Sequence, residues 1–292
     1  GNDLLFDESL CNQGRSFANK IWNSFRLING WEIKDIDQPE YSSVALDWYE
    51  NKFQSVLSQI NDHFDKFRIS DALMCVYKLI WDDFCSVLLE VIKPEFSKPI
   101  DKNTHKSLIL IFENNLKLLH PFMPFITEEL WQKLSGTRKT DLILAPWPIL
   151  NEDNLNETGT KEIEWLISLI SDIRTARAEM NVPAGAKLDM FISGASIDTV
   201  LSLASQDSVL KRLARLETIS KLEGEVPNGS ISVVVGEATY YLPLADIIDI
   251  DAEKARLLKG LEKIQKEIIS VSGRLNNDSF VSKAPKHVIE EN

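Results

Sequence analysis

The period of the hydrophobic residues constrains this chain most: it is helical as far as Asn181 and changes at Val182-Pro183. Phe17, Ile21, Phe25 and Ile28 recur every three or four positions, which makes one helical face. The same spacing joins Tyr49, Phe53, Val56, Ile60, Phe64 and Phe67 in a second helix. A third carries Leu73, Val76, Tyr77, Ile80, Phe84, Val87, Leu88 and Val91, with Ser70-Asp71 as its expected cap and Pro94 as its end. A fourth is expected over 103–119, broken by His120-Pro121, and Pro124 opens a fifth through Leu134. Amphipathic helices on short connections, such as the loop at 30–41, describe an antiparallel helical bundle.

Residues 141–150 carry Pro146 and Pro148 and read as an extended segment packed across the bundle. Residues 151–160 are polar and read as a linker, followed by a helix from Lys161 to about Asn181. Past Pro183 the period moves towards two. Strands are expected at Leu188–Ile192 and at Glu217–Leu222, with a helix over Val200–Leu213 between them. A hairpin follows, 231–235 and 238–242, turning at Gly236-Glu237. This is a small α+β module. Leu257, Leu261, Ile264, Ile268, Val271 and Leu275 then alternate spacings of four and three, the seam of a coiled-coil helix, and Asn276-Asn277-Asp278 marks a turn. A return helix is expected after Pro285. The fold class is therefore mainly α: a helical bundle (1–155), an α+β module (156–250) and the first helix and turn of an arm (251–292).

Catalytic signatures are missing from the sequence. It holds no phosphate-cradling glycine loop, no dinucleotide-binding glycine pattern and no H-E-x-x-H. His63, His105, His120 and His287 stand alone, and Asp82-Asp83 and Glu128-Glu129 occupy adjacent helical positions that diverge around the axis. Three cysteines, Cys11, Cys75 and Cys85, form no C-x-x-C pair, so free thiols in a reducing cytosol are expected rather than a disulfide framework or a metal site. No apolar window is long enough to span a membrane, and the first residues show no basic-then-apolar pattern with a cleavage site, so nothing argues for secretion. The chain starts Gly1-Asn2-Asp3 without Met and stops where a helix is expected to begin, and both ends read as cut.

Charge bears directly on nucleic-acid binding, which normally wants a basic surface. The net charge is −12, but unevenly spread: −5 over 1–150, −8 over 151–250 and +1 over 251–292. Any RNA contact is then local, on the first segment or the arm. Asn19, Lys20, Asn23 and Arg26 place amide and cationic donors on the polar side of the first helix, suited to base edges and phosphates of unpaired RNA. From composition alone, a solvated polar face explains them better. Lys254, Arg256, Lys259, Lys263 and Lys266 could line one side of the arm, or simply flank the seam.

Particular strings go further. H-P-F-M-P-F-I-T-E-E-L-W at 120–131 resembles the helix junction of anticodon-binding domains in class I synthetases for valine, isoleucine and leucine. F-A-N-K-I-W-N at 17–23, R-A-E-M-N-V-P at 177–183 and N-D-S-F-V-S-K-A-P at 277–285 are similar to successive segments of the valyl-tRNA synthetases. The resemblance implies an anticodon-binding bundle with 1–10 as the tail of a catalytic part, and a tRNA-binding arm. The catalytic and editing domains, with H-I-G-H and K-M-S-K-S, would precede residue 1. It implies valine-specific tRNA as partner, a cytoplasmic setting, and ATP as a cofactor of the whole enzyme but none for this piece. On this likeness Asn19, Lys20, Asn23 and Arg26 form the anticodon face, and Lys254, Arg256, Lys259 and Lys263 meet the tRNA body. Leu27 departs from the family, where an aromatic is common, and so does Ser86-Val87, where many members carry Asp-Trp. The alternatives are the same region of an isoleucyl-tRNA synthetase, usually ending in a cysteine-rich zinc element, or a helical protein-interaction scaffold. Self-association through the seam is a further expectation.

Overall fold

A computed structural model of the chain describes residues 7–136, 140–151 and 157–275. The expected turn at 276–278, the string at 277–285, the return helix and most of the expected N-terminal tail lie outside the described residues. Among the described residues no helix is long and apolar enough to cross a membrane. The chain divides into two compact units, one made of 1–171 and 195–213, the other of 172–194 and 214–292.

The first unit holds the helices expected over 1–155, together with residues up to 171 and 195–213, which the expected boundaries gave to the α+β module. Helix α1 (Glu8–Asn29) is capped by the Asp7 carboxylate, which accepts from Ser9 N, and buries Phe17, Ile21, Phe25 and Ile28. Helix α2 (Glu40–Asp65) buries Trp48, Tyr49, Phe53, Leu57 and Ile60. It stops earlier than its apolar spacing predicts. Phe67 takes a left-handed φ of 56° and its N–H bonds Phe64 O, while Arg68 N–H bonds His63 O. That pair of bonds is a Schellman stop with Phe in the position glycine usually fills. Phe67 therefore leaves the buried face and is 88% exposed. The stop also lets the next helix begin at once, α3 (Ile69–Lys78), with Arg68 before it. Ser70 and Asp71 thus lie inside the first turn and do not cap it.

After α3 the helix widens into a π-helical segment, Leu79–Leu88, and closes as α4 (Leu89–Ile92) before Pro94. The spacing of the apolar residues gave no sign of that widening. Two short strands, β1 (Ile33–Lys34) and β2 (Ile100–Asp101), pair in parallel and tie the loop after α1 to the loop after α4. Helix α5 (Lys102–Leu119) is capped by Asp101 and buries Leu108, Ile111, Phe112, Leu116 and Leu119. The His120–Trp131 string is a structural joint: His120 Nδ1 and Thr127 Oγ1 are bonded at 2.8 Å, and Pro124 opens α6 (Pro124–Leu134). Glu128 accepts from Leu142 N, and Trp131 Nε1 donates to Thr140 O. These hold the segment that contains a 3-10 turn at Leu142–Leu144. Trp147 Nε1 then donates to Asn61 on α2, so the segment packs across the bundle as its prolines predict.

Helix α7 (Glu157–Glu179) ends in a second Schellman stop, with Asn181 at φ 49° and Val182 N–H on Arg177 O. Strand β3 (Leu188–Ser193) leads to α8 (Ile197–Ser205) and α9 (Asp207–Leu213), two helices where one is expected. Ser196 caps the first, and Gln206 breaks the pair because its side chain is drawn to Glu162 on α7 at 2.7 Å. Strands β4 (Leu216–Lys221), β5 (Ser230–Val235) and β6 (Ala238–Pro243) complete a sheet ordered β4-β3-β6-β5. Strands β3 and β4 are parallel, which requires the helical crossover between them, and the other pairings are antiparallel. Gly236 turns the hairpin with φ 61°. The Arg177 guanidinium, in the second unit, donates to the carbonyls of Pro183, Ala186 and Arg215 and so pins the strand entry. Helix α10 (Ile250–Leu275) carries the heptad stripe, with Leu257, Leu261, Ile264, Ile268 and Leu275 exposed.

Candidate nucleic-acid interface

Asn19, Asn23 and Arg26 fall at i, i+4 and i+7 on α1, so helix geometry stacks them along one line, opposite the buried stripe. All three are exposed; Lys20 is half-buried. The structure sets Asn19, Lys20 and Asn23 into the wall of a surface groove of about 430 Å³. Its other wall comes from Cys85, Leu89 and Glu90, and Leu27 lies at one end. Arg26 is one turn beyond Asn23 and does not line the groove.

Lys20 is tied into the protein. Its ammonium sits 4.0 Å from the centroid of the Trp81 ring and donates to Ser86 Oγ at 3.0 Å. Ser86 Oγ in turn donates to Trp81 O at 2.8 Å, a span of five residues. That span is the repeat of a π-helix, whose i→i+5 bonding brings residues five apart towards one face. The widened segment thus turns Trp81 and Ser86 together towards α1. Trp81 is backed by Tyr77 at 5.7 Å and 12° between ring planes, and Tyr77 by Phe17 at 4.7 Å. Ser86 is therefore a partner of a candidate site residue. Across the groove's floor, from one wall to the other, Ser24 Oγ and Cys85 Sγ lie 3.2 Å apart, and burial pushes the Cys85 thiol up.

Sequence reasoning missed Leu89 and Glu90. Cys85 and Leu89 share the α1-facing side at i and i+4, but the apolar stripe alone did not show that this side borders the polar face of α1. Glu90 brings a carboxylate into the groove, held at 2.6 Å by Lys93. Groove polarity is therefore mixed: amides, one ammonium and one carboxylate, a set that can donate and accept at base edges.

On α10, Arg256, Lys259 and Lys263 fall on one flank and Lys254 on the other, because 100° per residue separates them. Lys254, Lys259 and Lys263 are exposed, with Lys263 3.8 Å from Glu267. Arg256 Nη2 donates to Glu179 O at 3.0 Å, at the end of α7. These four arm cations thus do not make a single line.

Comparison with known proteins adds two matches. Residues 47–192 match the family model for the anticodon-binding domain of tRNA ligases, and residues 249–292 match that for the valyl-tRNA synthetase tRNA-binding arm. The chain is 42% identical to a valine–tRNA ligase of Christiangramia forsetii and 42% identical to one of Phocaeicola vulgatus, over 99% of its length in both cases. A valine–tRNA ligase of Porphyromonas gingivalis is 41% identical over the same share. The chain spans 32%, about a third, of the length of these relatives. The arm match and the relatives favour the valine over the isoleucine reading, and over a protein scaffold.

Proposed function

Because the chain belongs to the family of anticodon-binding domains of tRNA ligases, we propose that it is the tRNA-recognising part of a valine–tRNA ligase. The observation that carries the proposal is the groove on α1 lined by Asn19, Lys20 and Asn23, with Arg26 on the same line one turn further. Unpaired bases of the anticodon loop would set their edges against the amides and Glu90, while Arg26 meets a phosphate or a guanine edge. Lys254, Arg256, Lys259 and Lys263 on α10 would meet the backbone of the tRNA body as point charges rather than as a single ladder. In the whole ligase, ATP-driven joining of valine to tRNA would fall to regions outside these 292 residues, in the cytoplasm. We also propose that the exposed stripe of α10 pairs with a second copy when the chain is alone.

The test is a titration of labelled valine tRNA and of a non-cognate tRNA at two salt concentrations. Preference for the valine tRNA, reduced by Arg26→Ala, is the expected result. Equal affinity for both, with the variant unchanged, would overturn the proposal.

A further inference from the structure

Leu27 closes one end of the α1 groove and also lines a second groove of about 560 Å³. This second groove lies between the loop after α1 and the turn after α4, both in the first unit. Its aromatic lining is Trp31 from the first loop and Phe96 from the turn. Phe96 is 99% exposed, the most exposed of the large hydrophobic side chains among the described residues. A Phe in water is unfavourable, and here the backbone holds it there. Lys98 N–H bonds Glu95 O at 2.9 Å, closing a four-residue turn with Phe96 at its second position and Ser97 at a left-handed φ of 63°. That is the backbone of a type II turn, and its tip is the Phe96 side chain. The turn is anchored on both sides. The β1–β2 pairing and the Ile100 N–H bond to Glu32 O, at 2.8 Å, hold the two loops side by side. Arg212 on α9 donates to the carbonyls of Glu90, Val91 and Lys93 and fixes the start of the turn.

The charges of the groove differ from those of the chain. Lys93, Lys98 and Arg212 line it with Glu32 and Glu95, and with Lys98 paired to Glu95 and Lys93 to Glu90 it carries no strong charge of either sign in a protein of net charge −12. Such a balance accepts a nucleotide without a strong phosphate clamp. The chemistry offered is π-faces beside mixed hydrogen-bonding groups, which is how unpaired bases are held.

We propose that this second groove is a stacking site for one unpaired base of an RNA loop whose neighbouring bases lie on α1, with Phe96 and Trp31 as its platforms. The inference rests on the function proposed above and extends its surface past Leu27. The probe is an RNA hairpin with an unpaired loop, carrying 2-aminopurine at each loop position in turn, titrated against the full chain. The variants are Phe96→Ala, Phe96→Leu, Phe96→Tyr and Trp31→Ala, with Asn23→Ala reporting on the α1 groove. Loss of a stacked base weakens binding by roughly 5- to 150-fold. Phe96→Ala and Phe96→Leu are expected to fall in that range with the salt slope unchanged, and Phe96→Tyr to bind like the parent. One 2-aminopurine position should be quenched by the parent and released in Phe96→Ala. If Phe96→Ala, Phe96→Leu and the quenching all match the parent while Asn23→Ala weakens binding, the second groove is not a base site, though the α1 reading stands. If Phe96→Leu alone matches the parent, the side chain acts by bulk and the stacking proposal falls. If the parent does not bind the hairpin, both fall together.

Discussion

Lys20 and Arg26 look equivalent in the sequence, as two cations on one polar helix face, yet they differ in what removing them would report. Arg26 is exposed, so Arg26→Ala is expected to weaken tRNA binding by roughly 1–3 kcal/mol while shifting stability by under about 0.5 kcal/mol. Lys20→Ala also removes the ammonium from the Trp81 ring and from Ser86, and should cost roughly 0.5–1 kcal/mol of stability. Chemical denaturation of both variants beside the tRNA titration separates the two effects. Asp83 is a second residue with a measurable signature. Burial, reinforced by Asp82 and opposed by Lys52, raises its carboxyl from 3.8 to about 6. A raised folded pKa means the native state holds its proton more tightly, so stability falls as pH rises from about 4 to 6 and stays lower above. Asp83→Asn is therefore expected to flatten that stretch of the stability profile. Above pH 7 it should add roughly 1 kcal/mol, less than full linkage gives because the group keeps contact with water. A profile as steep as the parent's would assign the slope to other groups. Arg212 is the third: its three carbonyl partners end α4, and Arg212→Ala is expected to cost about 2–3 kcal/mol, read from the urea midpoint.

Helix identity was legible because burial on this scale leaves a period, and α1, α5 and α6 follow their apolar stripes closely. Helix ends were less so. The stops at Phe67 and Asn181 are both left-handed residues other than glycine, and neither side chain announces the bend. At Asn181 the following proline marked the end; at Phe67 the aromatic ring imitated a core position. The π-helical segment left no mark in the spacing, since Ile80, Phe84 and Leu88 are buried in either kind of helix. For the site, the α1 residues were legible from their own helix, whereas Glu90 and the loops carrying Trp31 and Phe96 become neighbours only through tertiary pairing. On α10 the exposed stripe gives the element a concentration-dependent prediction. Each such side chain is worth about 1.5–3 kcal/mol when buried, so sedimentation should show self-association that weakens in Leu261→Asp with Ile268→Asp. A monomer at every concentration would count against pairing through this stripe.

Across the whole molecule, an acidic chain approaching RNA must do so through few contacts. Most of the excess acid lies in residues 151–250, away in sequence from α1 and ending where α10 begins. Neutralised phosphates set how affinity responds to salt, with a log–log slope near −0.7 per contact for single strands and near −0.9 for duplex DNA. Replacing Lys254, Lys259 and Lys263 together by Gln is expected to flatten the slope for tRNA by about 2–3 if all three reach the backbone. Arg26→Ala should flatten it by no more than about 1. A triple variant with the parent's slope would place the tRNA body elsewhere.

The widened helix between Leu79 and Leu88 has a genetic corollary. Bonding at i→i+5 instead of i→i+4 packs about one more residue into each turn between the same two ends. Ten residues make about two such turns, so a chain shortened by two there is expected to relax to ordinary α-helix and still deliver α4 to its place. It would lose the five-residue step that turns Trp81 and Ser86 towards Lys20. The extra length is thus expected to serve the wall of the groove more than folding, and a two-codon deletion that leaves the urea midpoint unchanged while RNA binding falls would show it.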